Sequence, residues 1–172
     1  GFGLYGGVEH GSSLYNEEIL VPFIISGPGV AKSNRLSYAP EMIDAVYTML
    51  ELSNITTVNV DGQSVVDDEY KARPAVSFKI DHVSVIDGDY KFYASLTYPD
   101  DSKPYELTPL TLYDLSTDFD ERNNIIDASP EVVSAMRAII ATRMANDLFP
   151  HITERELSGK QLQQLGELGY TE

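Results

Sequence analysis

The sequence predicts an α/β protein built from two unlike parts, and three patterns carry that prediction. Near its start a glycine-rich loop, a short helix signal and the continuous apolar run Phe23-Ile24-Ile25 follow one another, as expected of a strand covered on both faces. From residue 75 apolar and polar residues alternate, with tight-turn residues between the runs, the mark of a sheet with one wet face. A helical stripe of apolar residues begins after Ser129 and Pro130. The expected organisation is an α/β part over residues 1–72, a small four-stranded antiparallel sheet packed on a helix over 73–150, and a helical tail over 151–172.

Each element has its own justification. Gly1, Gly3, Gly6, Gly7 and Gly11 surround His10, a density suited to a loop that closes tightly around something. Ser12 or Ser13 can cap the helix that follows, and Glu17 and Glu18 favour its first turns. Pro22 is tolerated where a strand starts, and Gly27-Pro28-Gly29 ends the strand expected over Val21–Ser26. A second helix is expected from about Pro40 to Leu52, with Ile43, Val46, Tyr47 and Leu50 repeating along one face as its buried side.

In the second part, Ala75–Ile80, Val83–Ile86, Tyr90–Leu96 and Leu110–Leu115 read as four strands. Asp87-Gly88 marks a hairpin between the second and third, read with both residues at the centre of the turn. Ser129 is placed to cap the last helix, with Pro130 at its first position and Val132, Val133, Met136, Ile139, Ile140 and Met144 as its buried stripe.

Composition narrows the function. A formal net charge of −15, with only 12 basic residues and no dense run of them, argues against nucleic acid as a partner. The apolar run Ile19–Ile25 is interrupted by Pro22 and is too short to span a bilayer, so no membrane segment is expected in this chain. The chain has no cysteine, which excludes disulfides, thiolate metal sites and a cysteine nucleophile within it. Histidine occurs only at His10, His82 and His151, too dispersed for a two-histidine metal motif. Asp67-Asp68-Glu69 and the set Asp118, Asp120, Glu121 lack the alternating spacing of a calcium loop and read as solvated loop charges.

Several blocks resemble one family. The run Tyr5-Gly-Gly-Val-Glu-His10-Gly-Ser-Ser-Leu-Tyr15, continued by Val21-Pro-Phe-Ile-Ile25 and Gly27-Pro28-Gly29, resembles a segment of the sulfatases of the alkaline phosphatase superfamily. Ile43–Leu52, Asp61-Gly62-Gln63-Ser64-Val65, Gly88-Asp-Tyr-Lys91-Phe92, Leu112–Asn124 and Leu162–Tyr170 resemble further sulfatase blocks in the same order. Tyr47 departs from the pattern, standing where proline is usual.

The resemblance implies that residues 1–72 are the C-terminal part of an alkaline-phosphatase-like α/β sandwich. It further implies a fragment of a sulfate-ester hydrolase, inactive alone. The nucleophile, and the ligands of a divalent metal that is calcium in sulfatases, would then lie in a missing N-terminal part of the same protein. The implied substrate is a small-molecule or carbohydrate sulfate ester. A phosphodiester or phosphonate hydrolase or transferase of the same superfamily, and a non-catalytic structural or binding module, are the alternatives.

On the same resemblance His10 is both the catalytic and the substrate-binding candidate, a group that contacts the sulfate or assists the leaving oxygen. Glu9, Ser12 and Ser13 are close to it in sequence, with capping the expected role of the serines. His82 and His151 read as structural, and the loop from Tyr98 to Tyr105 as a possible border of the substrate entrance.

Overall fold

The computed structural model describes residues 13–31, 35–36, 38–55, 61–97 and 105–145. The chain divides into two compact units, Gly1–Thr142 and Arg143–Glu172, and only residues 143–145 of the second are described. The expected helical tail, His151 and residues 98–104 of the entrance loop lie outside the described residues.

The architecture is mixed α/β: a four-stranded antiparallel sheet and a few helices. The strands are β1 (Ala75–Lys79), β2 (His82–Asp87), β3 (Tyr90–Thr97) and β4 (Glu106–Asp114), in spatial order β1-β2-β3-β4. This is the meander that the alternating pattern predicted. The β2–β3 turn differs in detail. Asp87 pairs with Tyr90, so the two central residues are Gly88 and Asp89, and only Gly88 has a positive φ, 57°. Glycine at the first central position is what a type II′ hairpin turn requires. Between β3 and β4 the register slips at Tyr93/Ala94, which pair with Thr111 and Pro109. Leu110 is the extra residue, and Pro109 is accommodated because β4 is an edge strand.

Paired residues share a face, so the register sorts the sheet into two sides. One carries Val83, Val85, Phe92, Ala94 and Leu112, all fully buried. Burial of such a side chain contributes about 1.5–3 kcal/mol. Helix α3 (Pro130–Ala145) adds the buried Met136 and Ile140 to this core. Pro130 starts the helix as expected, and the other stripe residues are half-buried. The opposite side of the sheet is polar and aromatic, with His82, Ser84, Lys91, Tyr93 and Tyr113 on it.

Three expectations for the first part are corrected. Helix α1 (Asn16–Ile19) is a single turn whose N-cap is Tyr15, with no side-chain cap. Ser13 instead accepts from the Tyr15 amide at 3.4 Å, and its own amide donates to Glu18. The run Val21–Ser26 forms no strand, and Val21, Phe23 and Ile24 are exposed, Ile24 at 89%. A strand exists by virtue of its ladder partners, and none adjoins this run among the described residues.

Helix α2 (Met42–Leu52) starts two residues later than Pro40, at an N-cap on Glu41. It also presents the opposite side inward. Asp44, Ala45 and Thr48 are buried, whereas Ile43, Val46, Met49 and Leu52 of its apolar side are exposed. No helix among the described residues is long and apolar enough to cross a membrane.

Candidate functional site

His10, together with Glu9 and Ser12, lies outside the described residues. What the structure does define is the anchor of the segment that follows it. Leu14 is buried, Tyr15 lays its ring against Tyr93 at 5.4 Å and Tyr113 at 6.4 Å, and Asn16 is 7% exposed. All of this sits on the polar side of the sheet.

Asn16 is held by a buried ion pair. Lys91 Nζ lies 2.6 Å from Glu121 Oε1 and donates to Asn16 Oδ1 at 2.8 Å. The Asn16 amide donates to Glu121 Oε2 at 2.6 Å, and its side-chain Nδ2 donates to the Phe119 carbonyl at 3.1 Å. The Tyr15 ring centroid is 6.0 Å from the Lys91 ammonium, within reach of a cation–π contact. Lys91 and Glu121 are 0% and 2% exposed. Burial pushes the Lys91 ammonium down to about 8, against the hydrogen bond and charge of Glu121, which raise it. Glu121 has φ 57°, left-handed for a residue that is not glycine. The reading of Glu121 as a solvated loop charge is therefore corrected. Its neighbour Asp118 does serve its loop, accepting from the amides of Arg122 and Asn123.

A second cluster organises the start of α2. Asp44 is fully buried, and its Oδ1 accepts from Arg73 Nη2 at 2.7 Å and the Gln63 amide at 2.8 Å. Its Oδ2 accepts from the Glu41 amide at 3.1 Å and Tyr70 OH at 3.2 Å. Arg73 also reaches Glu41 at 3.0 Å and the Asp61 carbonyl at 2.9 Å. Thr48 Oγ1 accepts from the Val65 amide at 3.0 Å. Burial first, then the Asp44 charge, pushes the Tyr70 phenol up to about 12, and Tyr70 stacks on Tyr38 at 4.8 Å. Gly62 passes so close to α2 that a Cβ there would collide with the Ile43 carbonyl and come 2.9 Å from Tyr47 Cβ.

His82, on β2, has its Nδ1 2.7 Å from Asp81 Oδ1 and stacks on Tyr93 at 5.3 Å. The hydrogen bond from His82 lowers the Asp81 pKa. With the proton on Nδ1, Nε2 is the basic nitrogen of the ring. A groove of about 940 Å³ runs between residues 20–25 and the start of α2, lined by Phe23, Ile25, Tyr38, Met42 and Val65 among others. Among the described residues no group of three or more His, Asp or Glu side chains is placed to hold a metal ion. These residues therefore do not fit a divalent cation, and no step is routed through one.

The sequence reading missed both buried clusters. Lys91 occupies the polar phase of a strand, where lysine reads as solvated, and its partners are 75 and 30 positions away. The available signal was placement: Asn16 directly follows the Ser13-Leu14-Tyr15 run, and Lys91 and Glu121 each fall within a block that resembles the sulfatases.

No protein-family model matches the chain. The chain is similar to Arylsulfatase K of Gallus gallus, at 28% identity over 144 residues, covering 74% of this chain and 26% of the relative. It thus spans about a quarter of the length of that curated protein. This similarity, together with the order of the sequence blocks, supports a sulfatase-family relationship.

Proposed function

We propose that the chain is the C-terminal part of a sulfatase-like hydrolase that cleaves sulfate esters of small molecules or carbohydrates, and that it is inactive alone. The similarity to Arylsulfatase K carries this reading. The chain has neither a cysteine nor a Ser-x-Pro-x-Arg run, so the nucleophile is assigned to polypeptide outside it. The divalent metal, calcium in the family resemblance, is assigned there as well.

In the proposed reaction the sulfuryl group passes to that nucleophile as the S–O bond to the leaving oxygen breaks. His10 holds charge on the sulfuryl oxygens or gives a proton to the leaving oxygen. The exposed apolar side of α2 and the exposed run Val21–Ile24 support packing against the missing N-terminal part of the same protein. Unpaired extended backbone beside apolar side chains is a site for strand addition.

The test compares a chromogenic aryl sulfate with aryl phosphate and phosphodiester substrates. Each is offered to the 172-residue chain and to a longer polypeptide that contains it, with and without His10→Ala. The expected outcome is no turnover by the chain alone, and sulfate turnover by the longer polypeptide that His10→Ala lowers by about 100-fold or more. Turnover by the chain alone above the His10→Ala background would overturn the claim of inactivity. A preference for phosphoesters would move the reaction class.

A further inference from the structure

We infer that Lys91 and Glu121 are positioning residues for His10: their buried ion pair clamps Asn16, the first residue of α1, and so fixes the point from which the chain runs back to His10. The inference rests on the catalytic role proposed above for His10, which is six residues upstream of Asn16.

Three observations converge on it. First, α1 is four residues long, and a helix of one turn has no stability of its own, so its place is set by tertiary anchors. Second, both carboxylate oxygens of Glu121 are engaged, one by Lys91 and one by the Asn16 amide, each at 2.6 Å. The Asn16 side chain is fixed at both ends, its Oδ1 on Lys91 and its Nδ2 on the Phe119 carbonyl. The backbone and side chain of one residue are thereby tied to β3 and to the loop after β4. Third, Glu121 adopts a backbone conformation rare for residues other than glycine, and such strain persists where the surroundings over-determine it.

A buried ion pair is weak evidence for stability as such, since an apolar pair of similar volume often serves as well. An apolar pair could not bind the Asn16 amide or its carboxamide oxygen, and direction is what these bonds add. Stacking of Tyr15 on Tyr93 and Tyr113 fills space beside the clamp but leaves the backbone of Asn16 free to rotate.

The experiment uses Lys91→Met, Glu121→Gln and the double variant, in the 172-residue chain and in the longer polypeptide that turns over sulfate ester. Amide hydrogen exchange is read at Asn16 and, as an internal reference, at Val65, whose amide is bonded to Thr48. In Lys91→Met the Asn16 amide is expected to exchange at least tenfold faster, with Val65 unchanged. In the longer polypeptide kcat is expected to fall at least tenfold while KM moves less than twofold. The double variant keeps a neutral oxygen for the Asn16 amide and is expected to recover part of both losses. It also serves as the test should Lys91→Met fail to fold.

Wild-type Asn16 protection and kcat in a folded Lys91→Met protein, or in the double variant with no recovery to read, would overturn the inference. If His10→Ala leaves turnover intact while Asn16 still loses protection in Lys91→Met, the role of His10 fails and the clamp on Asn16 stands. A loss at Val65 equal to that at Asn16 would reduce the pair to a general support of the fold and would also overturn it.

Discussion

Asp44→Ala should be among the most damaging single changes in the first part of the chain. Asp44 is fully buried and accepts four hydrogen bonds, from Arg73, Tyr70 and the amides of Gln63 and Glu41. Breaking a buried pair by removing one charge costs about 3–5 kcal/mol. Arg73 is 23% exposed and keeps Glu41 at 3.0 Å, so its loss falls at or below the lower end. The Gln63 and Glu41 amides, in contrast, lose a charged acceptor. A net cost of about 3 kcal/mol follows, or about 6–12 °C in Tm for a chain of this size. Urea unfolding followed by near-ultraviolet circular dichroism measures it directly. A second readout is specific to the geometry: without Asp44 the Tyr70 phenol, now at about 12, should titrate closer to its ordinary value of 10.0. Burial is the larger cause of that shift, so the return is partial. A stability loss below about 1 kcal/mol, or an unmoved Tyr70, would refute the view that Asp44 organises this region.

Three further outcomes can be checked alongside it. Gly62→Ala should destabilise by about 1–3 kcal/mol, because its Cβ would run into the α2 backbone at Ile43 and into Tyr47; denaturation midpoints decide it. Between pH 10 and 12 stability should fall on account of Tyr70. Its folded pKa is raised, so the folded state holds its proton longer, and the contribution is complete below 10 and lost as pH rises through about 12; alkaline titration of Asp44→Ala, with a weaker effect, is the control. Val46→Glu with Met49→Lys, both on the exposed side of α2, should leave the stability of the chain within about 0.5 kcal/mol and reduce binding of an apolar dye. Loss of stability beyond that would mean the side is covered within the chain.

The legible parts of the fold were those whose signal is local. The sheet followed from alternation and from Gly88, whose positive φ fixes the hairpin. Helix α3 followed from its spacing and from Pro130 at its first position. Periodicity told which side of α2 is apolar but not which side is covered. That depended on Asp44 and Thr48 meeting the amides of Gln63 and Val65, 19 and 17 residues on. The run Val21–Ser26 has strand composition, but composition does not provide the ladder partner that makes a strand. Lys91 was invisible for a related reason. A segment 75 residues earlier in the chain covers it, and no window along the sequence spans that distance. His10 was singled out by its setting and lies outside the described residues, so its role rests on sequence and similarity.

The two buried clusters change what the family resemblance means. Asp44 and Gly62 belong to two resembling blocks and join α2 to the segment after it. Lys91 and Glu121 belong to two others and join β3 to α1. Asn124 accepts from the Leu112 amide and donates to the Leu110 carbonyl, securing the loop after β4 across the bulge. These residues are joints between elements, and a chain could keep them all and have lost its chemistry. Similarity through them is evidence of shared architecture first, because fold alone does not fix a reaction. The link from architecture to chemistry passes through Asn16, where the joint made by Lys91 and Glu121 holds the end of the segment that carries His10. Substituting that pair is therefore a sharper test of the enzymatic reading than substituting the other joints, since it should alter turnover and the mobility of Asn16 together while leaving the Asp44 cluster intact.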